Sequence, residues 1–348
     1  MSESPKQAPV HDLRLKALPA MPWMIWLVGA AACAALVLVV THLSEEQEFL
    51  RLIRQINPLW LALALLLQAS TYLAQGIVWR VVARATGHAI TLRKAYEVSL
   101  AMLFVDQALP SAGISGVAIV SGALSRIGMP REVVVSAVLL DVGMYYLAYA
   151  FCMAVALVVA LYHGYLPVWV NVAMLLFVFI GTGVSWFVMA LPSGGMDWLK
   201  SRLRRLSKLA ILLDWVDDAH PGSFQNHRVQ VQAFAYHAVI FALDAATIWV
   251  AARALGVTAS AGGVFASFMV STLFRTIGIM PGGLGTFETA SVMSLKSIGL
   301  PLPVGLSATL LFRGLSFWLP MIPGLVCSRR LLKGVRDDDD ATPEAGRT

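Results

Sequence analysis

The apolar sequence is interrupted at Arg275-Thr276-Ile277-Gly278-Ile279-Met280-Pro281-Gly282-Gly283-Leu284-Gly285-Thr286-Phe287-Glu288, and this stretch decides the fold of the chain. Helix-breaking residues and two ionisable side chains stand here within sequence that is otherwise apolar enough for a membrane. Irregular backbone at membrane depth is tolerated only where protein or a water-filled cavity covers it. Breaks of this kind are typical of ligand sites in membrane transporters.

A second stretch has the same layout, with its proline 171 positions earlier. It reads Phe104-Val105-Asp106-Gln107-Ala108-Leu109-Pro110-Ser111-Ala112-Gly113-Ile114-Ser115-Gly116. Two following blocks recur at the same offset: Ile127-Gly128-Met129-Pro130 against Ile298-Gly299-Leu300-Pro301, and residues 136–140 against 307–311. Matching blocks in one order favour an internal repeat over chance similarity between apolar helices. The repeat halves cover about residues 80–162 and 250–327.

The composition is that of a polytopic membrane protein. Of the 348 residues, 58% are hydrophobic and 13% charged, and the mean hydropathy is +0.73, whereas soluble domains carry about 25% charged residues. Apolar stretches of about 20 residues, enough to cross a bilayer as a helix, predict six spans. They lie at 22–40, 59–78, 133–161, 166–191, 231–252 and 304–326. We predict an all-α membrane protein with about six full spans and two broken segments, 98–124 and 264–298.

Loop charge indicates how the broken segments enter the membrane. If both are re-entrant hairpins, nearly all basic loop residues fall on one side, as the positive-inside rule expects. These residues are Lys6, Arg14, Lys16, Arg80, Arg84, Arg93, Lys94, Arg126, Arg131, Lys200, Arg202, Arg204, Arg205, Lys208, Arg228, Arg329, Arg330, Lys333 and Arg336. Single crossings would place the loop 200–228 opposite the amino-terminal arm. We therefore predict two hairpins in an inverted repeat, in a bacterial inner membrane, with both termini cytoplasmic.

Outside the integral membrane domain, at 21–330, we predict a cytoplasmic arm at 1–20 and a disordered cytoplasmic tail at 331–348. Residues 198–216 alternate apolar and basic positions at helical spacing, the pattern of a helix that lies on anionic lipid. An ordinary connecting helix whose charges set topology is the alternative.

The candidate substrate-binding residues cluster at the two breaks. Free backbone N–H groups after Pro110 and Pro281 favour an anion such as a lipid phosphate. The alternative is that the glycines serve helix packing or a turn. For Glu288 the alternative is a local role in the first turn of a half-helix capped by Thr286. The candidate set is Pro110, Gly113, Gly116, Arg275, Pro281, Gly282, Gly283, Gly285, Glu288 and Arg313.

Ionisable residues occupy near-equivalent positions in the two repeats. Asp106 and Asp141 lie in the first repeat, where the second has Arg275 and Arg313. Charges within membrane segments are costly and are usually paired or functional. We therefore predict the ion pairs Asp106–Arg275 and Asp141–Arg313, with Asp244 as a further candidate.

The sequence offers no pattern for a metal or a nucleotide. Cys33, Cys152 and Cys327 lie in or at the edge of apolar segments without metal-ligand spacing. The glycine-rich stretch lacks the Lys-Ser/Thr pair and the preceding strand of a nucleotide P-loop. We expect no metal, no cofactor, no nucleic-acid partner and no enzymatic activity.

Four motifs carry a resemblance to a known family. They are Asn57-Pro58-Leu59-Trp60, Trp79-Arg80, residues 281–288, and Leu311-Phe312-Arg313-Gly314-Leu315-Ser316-Phe317-Trp318-Leu319-Pro320. The chain resembles the transmembrane region of lysylphosphatidylglycerol synthases, a flippase-like family that also occurs as stand-alone membrane proteins. The resemblance covers about residues 49–330 and is most specific at 281–288. The first repeat departs from the family, since residues 117–120 stand where the family often has an acid and an arginine.

The resemblance implies a function in lipid movement. In this family a fused soluble domain performs aminoacyl transfer, and the membrane part is associated with moving the lipid between leaflets; this chain has no room for the synthase domain. We expect a lipid flippase or translocase that moves an anionic or polyprenyl-linked headgroup between the hairpins. The alternatives are a non-transporting accessory subunit, partnered with a lipid-modifying enzyme in a lipid or glycolipid biosynthetic complex, and a membrane transferase that uses Glu288 or Asp141.

Overall fold

The structure, a computed structural model, describes most of the membrane region. It covers residues 56–85, 87–108, 114–126, 128–193, 226–277 and 281–340, with short pieces at 200–202, 216–217 and 219. Several predictions lie outside the described residues: the arm at 1–20, the first span at 22–40, Pro110, Gly113 and most of the helix at 198–216.

Every regular element in the described part is helical, which confirms the predicted all-α fold. The helices are α1 (Pro58–Ala85), α2 (Leu92–Ala108), α3 (Ile114–Arg126), α4 (Arg131–His163), α5 (Val168–Ala190), α6 (His227–Ala254), α7 (Ala261–Ile277), α8 (Thr286–Ser297), α9 (Leu302–Arg313) and α10 (Leu319–Asp340). Two short 3-10 segments lie at Leu191–Ser193 and Pro281–Gly283, and a π segment lies at Gly314–Trp318.

Five of the six predicted spans fall within the described part, and each coincides with a helix long and apolar enough to cross a membrane. These are α1, α4, α5, α6 and the continuous run Leu302–Leu331 formed by α9, the π segment and α10. The chain is therefore a multi-pass membrane protein. Helix α10 continues to Asp340, so residues 331–340, where we predict disorder, are helical.

The helices recur in order and length between the two halves of the chain. Helices α1 and α6 each have 28 residues, and α2 and α7 each have 17. After each break follow short helices of 13 and 12 residues, α3 and α8. The helices that come next, α4 and α9, both begin after a proline, Pro130 or Pro301, with φ of −57°. This recurrence agrees with an internal repeat, whereas the inverted orientation stays a prediction.

Helix packing joins the helices of each broken segment and also joins the two halves. The two helices of each broken segment pack against each other, α2 on α3 and α7 on α8, as in a hairpin. The halves are joined where α1 packs along α6 and α2 along α10. The largest apolar cluster includes Tyr149, Phe241, Phe268 and Phe287 and holds α4, α6, α7, α8 and α9 together. Burial of such aromatic side chains contributes most to core packing.

Candidate functional site

The helix that precedes the first break contacts the second one. The end of α2 contacts the turn Pro281–Gly283. Phe104 of α2 also packs against the small buried cluster of Leu284, Phe317 and Met321. The described site residues of the first and the second break therefore lie in one region of the fold.

A buried ion pair beside the second break joins α8 to α9. Glu288, in the first turn of α8, has its Oε1 2.5 Å from Nε of Arg313 on α9. Its other oxygen, Oε2, accepts a hydrogen bond from the backbone N–H of Gly285 at 2.6 Å. Nη2 of Arg313 donates to the carbonyl of Gly282 at 2.9 Å. Glu288 and Arg313 are each 4% exposed, so each charge is compensated where water is excluded.

The geometry around Glu288 is that of a capping box. Gly285, rather than the predicted Thr286, is the N-cap of α8, and Glu288 reaches back to its N–H from the third helical position. The hydroxyl of Thr286 donates instead to the carbonyl of Gly283 at 3.0 Å. Both oxygens of Glu288 thus have partners within the protein, which favours the local structural role over a free functional acid.

Two glycines of the motif are closely approached by side chains. A Cβ atom on Gly282 would lie 2.3 Å from the ring of Phe317, and one on Gly283 would lie 2.2 Å from Cγ of Arg275. Their φ angles of +61° and +66° also favour glycine. At Gly285, φ is +83° and no described atom lies within 4 Å of the Cβ position. Close packing therefore explains Gly282 and Gly283, and Gly285 retains open space beside it.

At the first break, an acid of the preceding helix α2 caps the start of α3. Oδ1 of Asp106, near the end of α2, accepts a hydrogen bond from the N–H of Gly116 at 2.9 Å. A Cβ atom on Gly116 would lie 2.4 Å from this carboxylate. Each half-helix thus begins beside a protein carboxylate, which the helix dipole favours. The N–H groups of Gly116 and Gly285 are bound to the protein rather than left for a lipid phosphate.

The structure corrects both predicted ion pairs, Asp106–Arg275 and Asp141–Arg313. Arg313 has the carboxylate of the neighbouring α8 as its partner, and Asp106 caps α3. Oδ1 of Asp141 lies 3.0 Å from Nε2 of His237 on α6. Equivalent positions of a repeat are related by sequence, whereas helix packing decides which side chains meet.

A polar stripe on α1 lines the interior, and the sequence analysis missed it. Gln68, Thr71 and Gln75 recur at helical spacing and so share a face of the helix. Nε2 of Gln68 and Oγ1 of Thr71 donate to Oδ1 of Asp244 at 3.2 and 3.4 Å. Nε2 of Gln75 donates to Asp141 at 3.4 Å. The detectable signal was the spacing of polar residues within an apolar span.

Helix α4 presents polar side chains toward α6 and α7. Asp141 and His237 are 5% and 2% exposed, so their pair is fully enclosed. The edge of the Tyr145 ring packs against His237, with centroids 5.6 Å apart. One turn further, the hydroxyl of Tyr149 lies 3.2 Å from that of Thr276 on α7. Hydrogen-bonding groups of α4 therefore contact both α6 and α7.

Arg275 is a cation at the edge of this polar interior. It is half-buried near the end of α7 and interacts electrostatically with Asp244 and Tyr145. No hydrogen bond or ion pair within 4 Å joins it to a residue in the part of the chain that the structure describes. A guanidinium keeps its charge and can bind a phosphate through two parallel hydrogen bonds. Among the described residues of the predicted site, Arg275 is the charged side chain that has no hydrogen bond or ion pair to another described residue.

The π segment connects α1 and α2 to the second break. Pro320 has no N–H, so the carbonyl of Ser316 lacks its usual helical donor. Tyr72 and Gln107 donate to this carbonyl instead, at 3.3 and 3.4 Å. π segments in helices often mark functional sites.

The described residues contain no grouping suited to a metal. No three or more His, Cys, Asp or Glu side chains among them are placed to hold an ion. Cys152 and Cys327 are buried free thiols on separate helices. The acids of the interior instead bind amides, hydroxyls, an imidazole and a guanidinium.

Comparisons with known proteins bear on the kind of membrane protein this is. The sequence model of the family described as "Lysylphosphatidylglycerol synthase TM region" matches residues 18–324. A UPF0104 membrane protein of Methanocaldococcus jannaschii is 22% identical over 300 residues, which cover 80% of this chain and 87% of the relative. Phosphatidylglycerol lysyltransferase of Staphylococcus haemolyticus is 34% identical over 65 residues, which cover 19% of this chain and 8% of the relative.

Proposed function

The chain belongs to the family of the lysylphosphatidylglycerol synthase transmembrane region, and from this premise we propose that it moves anionic or polyprenyl-linked lipid headgroups between the leaflets of a membrane. Arg275 is the observation that carries the proposal. Both lipid classes share a phosphate. A half-buried arginine beside a helix break suits a phosphate when no acid among the described residues lies within 4 Å of it. Charged residues inside membrane segments usually mark a pathway.

The polar interior supports the same proposal. A headgroup that leaves water loses hydrogen bonds, and this costs free energy unless the protein replaces them. Gln75, Asp141 and His237 form one hydrogen-bonded group, and Asp244 lies in a second. Both groups lie on spans that pack together. They supply donors and acceptors along a route through the bundle.

The lipid class is taken in part from a relative. The name of the Staphylococcus haemolyticus relative refers to phosphatidylglycerol, an anionic lipid. Its matched segment is 8% of its length, so we carry over the lipid and not the transfer reaction. Basic loops placed on one side of the membrane suggest an inner membrane with both termini cytoplasmic.

The proposal is tested with purified protein in vesicles. Phosphatidylglycerol, phosphatidylethanolamine and a polyprenyl phosphate, each carrying a fluorescent headgroup label, are exposed to a reductant that destroys the label in the outer leaflet. We expect faster loss of the inner-leaflet signal for an anionic or polyprenyl-linked lipid than for phosphatidylethanolamine, relative to protein-free vesicles. Equal rates with and without protein for all three lipids would contradict transport and favour the accessory-subunit alternative.

A further inference from the structure

Asp141 and His237 form a buried pair of titratable side chains, one on α4 and one on α6. Oδ1 of Asp141 lies 3.0 Å from Nε2 of His237 and 3.4 Å from Nε2 of Gln75 on α1. Both partners of the carboxylate thus share one oxygen. The other oxygen, Oδ2, makes no hydrogen bond to the residues that the structure describes. One oxygen of this acid is therefore left for a proton.

This geometry lets the pair hold an extra proton without losing a contact. A carboxylate oxygen only accepts hydrogen bonds, so Nε2 of His237 carries a hydrogen in the pair. An added proton can bind Oδ2 of Asp141 or Nδ1 of His237, and in both cases Nε2 still donates to Oδ1. Glu288 differs, because each of its oxygens accepts from a donor of the protein. The Asp141–His237 pair is therefore the buried acid site suited to exchange a proton.

The pair lies close to the candidate headgroup site. Tyr145 follows Asp141 by one turn of α4 and so shares its face of the helix. The edge of the Tyr145 ring packs against His237, and Tyr145 interacts electrostatically with Arg275. A charge bound at Arg275 and a charge on the pair therefore act on each other through protein, where electrostatic interactions are less screened than in water.

Other charged groups face the pair or Tyr145. Asp106 on α2 interacts electrostatically with Asp141 itself, whereas Asp244 on α6 and Arg275 on α7 interact with Tyr145. Helix α5, which packs along α4, has no ionisable side chain. The remaining ionisable side chains of α1, α3 and α6 are exposed or contact other parts of the protein: Tyr72, Arg80, Arg84, Arg126, His227, Arg228, Tyr236 and Arg253. A test of the pair therefore has to separate it from Asp106.

We propose that the Asp141–His237 pair binds one proton from water when an anionic headgroup binds at Arg275. The phosphate brings a negative charge into the interior and the proton brings a positive one. Moving the two together avoids the cost of carrying an uncompensated charge through the membrane. The inference rests on the proposed function and deepens it, because it names the proton as the second species that moves and a proton gradient as the driving force.

The two binding events should favour each other. A negative headgroup favours the form of the pair that holds the extra proton, and by reciprocity the proton favours the headgroup. The affinity for the headgroup should therefore be highest at low pH and fall as the pH rises and the pair loses its proton. One linked proton limits this fall to about tenfold per pH unit.

Acid–base titration of the purified protein without lipid tests the proton site alone. Between about pH 8 and about pH 5, where histidine commonly changes its charge, the wild type should take up about one proton more than Asp141→Asn. The imidazole of the variant should stay neutral, because an unpaired buried cation is costly. The same comparison is made in the Asp106→Asn background. An undiminished difference there supports the pair, whereas its disappearance would assign the proton to Asp106 and overturn the proposal.

Calorimetry with dihexanoyl phosphatidylglycerol, a short-chain anionic lipid, tests the link to the headgroup. Titrations in two buffers with different enthalpies of ionisation give the number of protons taken up per bound lipid. We expect this number to rise from about zero near pH 5 to about one near pH 8, while the affinity falls. Asp141→Asn should abolish both effects. Glu132→Gln removes an acid at an exposed position of the same helix and should leave both unchanged.

The outcomes separate the proton site from the proposed function. Lipid binding without proton uptake would overturn the proposal, even if the protein moves lipid in vesicles. A proton difference in the lipid-free protein, without headgroup binding or translocation, would leave the proton site and contradict the proposed function. Melting temperatures in detergent check folding. If Asp141→Asn does not fold, His237→Gln replaces it: its remaining acid, buried without a cation, should stay neutral, so the extra proton should again be lost.

Discussion

The two halves of this protein build the same backbone with different charges. In the second half, Glu288 caps its own helix and pairs with Arg313 on the next helix. In the first half, Asp106 caps from the helix before the break, and the acid of the long span, Asp141, binds His237 of the other half. The charges at the second break are therefore paired within the second half. Asp141 of the first half is instead paired with a residue of the second half.

This difference shows that the stretch most specific to the family, residues 281–288, is not the part of the region most accessible to a ligand. The glycines and the acid of residues 281–288 contact Phe317, Arg275 and Arg313. These contacts stabilise the interrupted helix within the membrane region. The charged group without a partner among the described residues, Arg275, lies beside the motif on α7.

The orientation of the halves gives the largest expected effect. If the repeat is inverted, single cysteines at Ser125, an exposed position at the end of α3, and at Ser207 should react with a membrane-impermeant thiol reagent from the same side, and one at His163 only from the other. The positive-inside bias is the reason, because hairpins place the basic loops together. The measurement is labelling in intact cells against inverted vesicles, in a variant without Cys33, Cys152 and Cys327. Ser125 and Ser207 on opposite sides would mean that the halves are not inverted.

The ion pair of the second break comes next in size. Glu288→Gln and Arg313→Gln should each lower the free energy of unfolding by about 3–5 kcal/mol, since each leaves a buried charge without its partner. The double variant should lose less than the sum. Chemical unfolding in detergent gives these values.

A second double-mutant cycle tests whether the Glu288–Arg313 pair is independent of Asp141. Asp141 binds Gln75 and His237, whereas Arg313 binds Glu288 and Gly282. The effects of Asp141→Asn and Arg313→Gln should therefore add within about 0.5 kcal/mol. A non-additive effect of Asp141→Asn and Arg313→Gln, together with additive effects of Glu288→Gln and Arg313→Gln, would contradict this account. It would mean that Arg313 pairs with the first half and not with Glu288.

The glycines of the second break give a smaller effect. Gly285→Ala should lower the free energy of unfolding by about 1–2 kcal/mol, because its backbone is left-handed but its surroundings are open. Gly283→Ala should cost about 1–3 kcal/mol more, since the new methyl group overlaps Arg275. Equal losses would show that Arg275 moves freely aside.

The cap of the first break is expected to matter least. Asp106→Ala should cost about 0.5–2 kcal/mol, the usual loss of a helix cap. Asp106→Asn keeps an oxygen acceptor for the N–H of Gly116 and should cost less. If Asp106→Asn instead destabilised as strongly as Glu288→Gln, the first break would depend on charge as the second one does.

The sequence predicted the parts of the fold that local pattern controls. Span lengths, the two breaks and the recurrence of blocks around Pro130 and Pro301 follow from hydropathy and helix-breaking residues, which act over one or two turns. The contacts of Asp141 and Arg313 depend on which helices become neighbours. A repeat relates positions by descent and gives no information on side-chain partners, so both pairs needed correction.

The polar interior was partly within reach of the sequence. The spacing of Gln68, Thr71 and Gln75 on an apolar span marks a polar face that must point inward. His237 had no such signal, because its partner Asp141 lies on a helix nearly 100 residues earlier. The close approach of Arg275 to Gly283 also needs the folded backbone, since it joins the two sides of a turn.

The translocation rate of Arg275→Gln in vesicles tests the central claim most directly. Lys296→Gln removes the same charge at an exposed position of α8 and serves as its control. With headgroup-labelled phosphatidylglycerol, Arg275→Gln should be at least about tenfold slower per folded molecule, since a hydrogen bond to a charged group contributes about 1.5–3 kcal/mol. Its melting temperature in detergent and the rate of Lys296→Gln should match the wild type. A folded Arg275→Gln protein that moves the lipid at the wild-type rate would contradict the account.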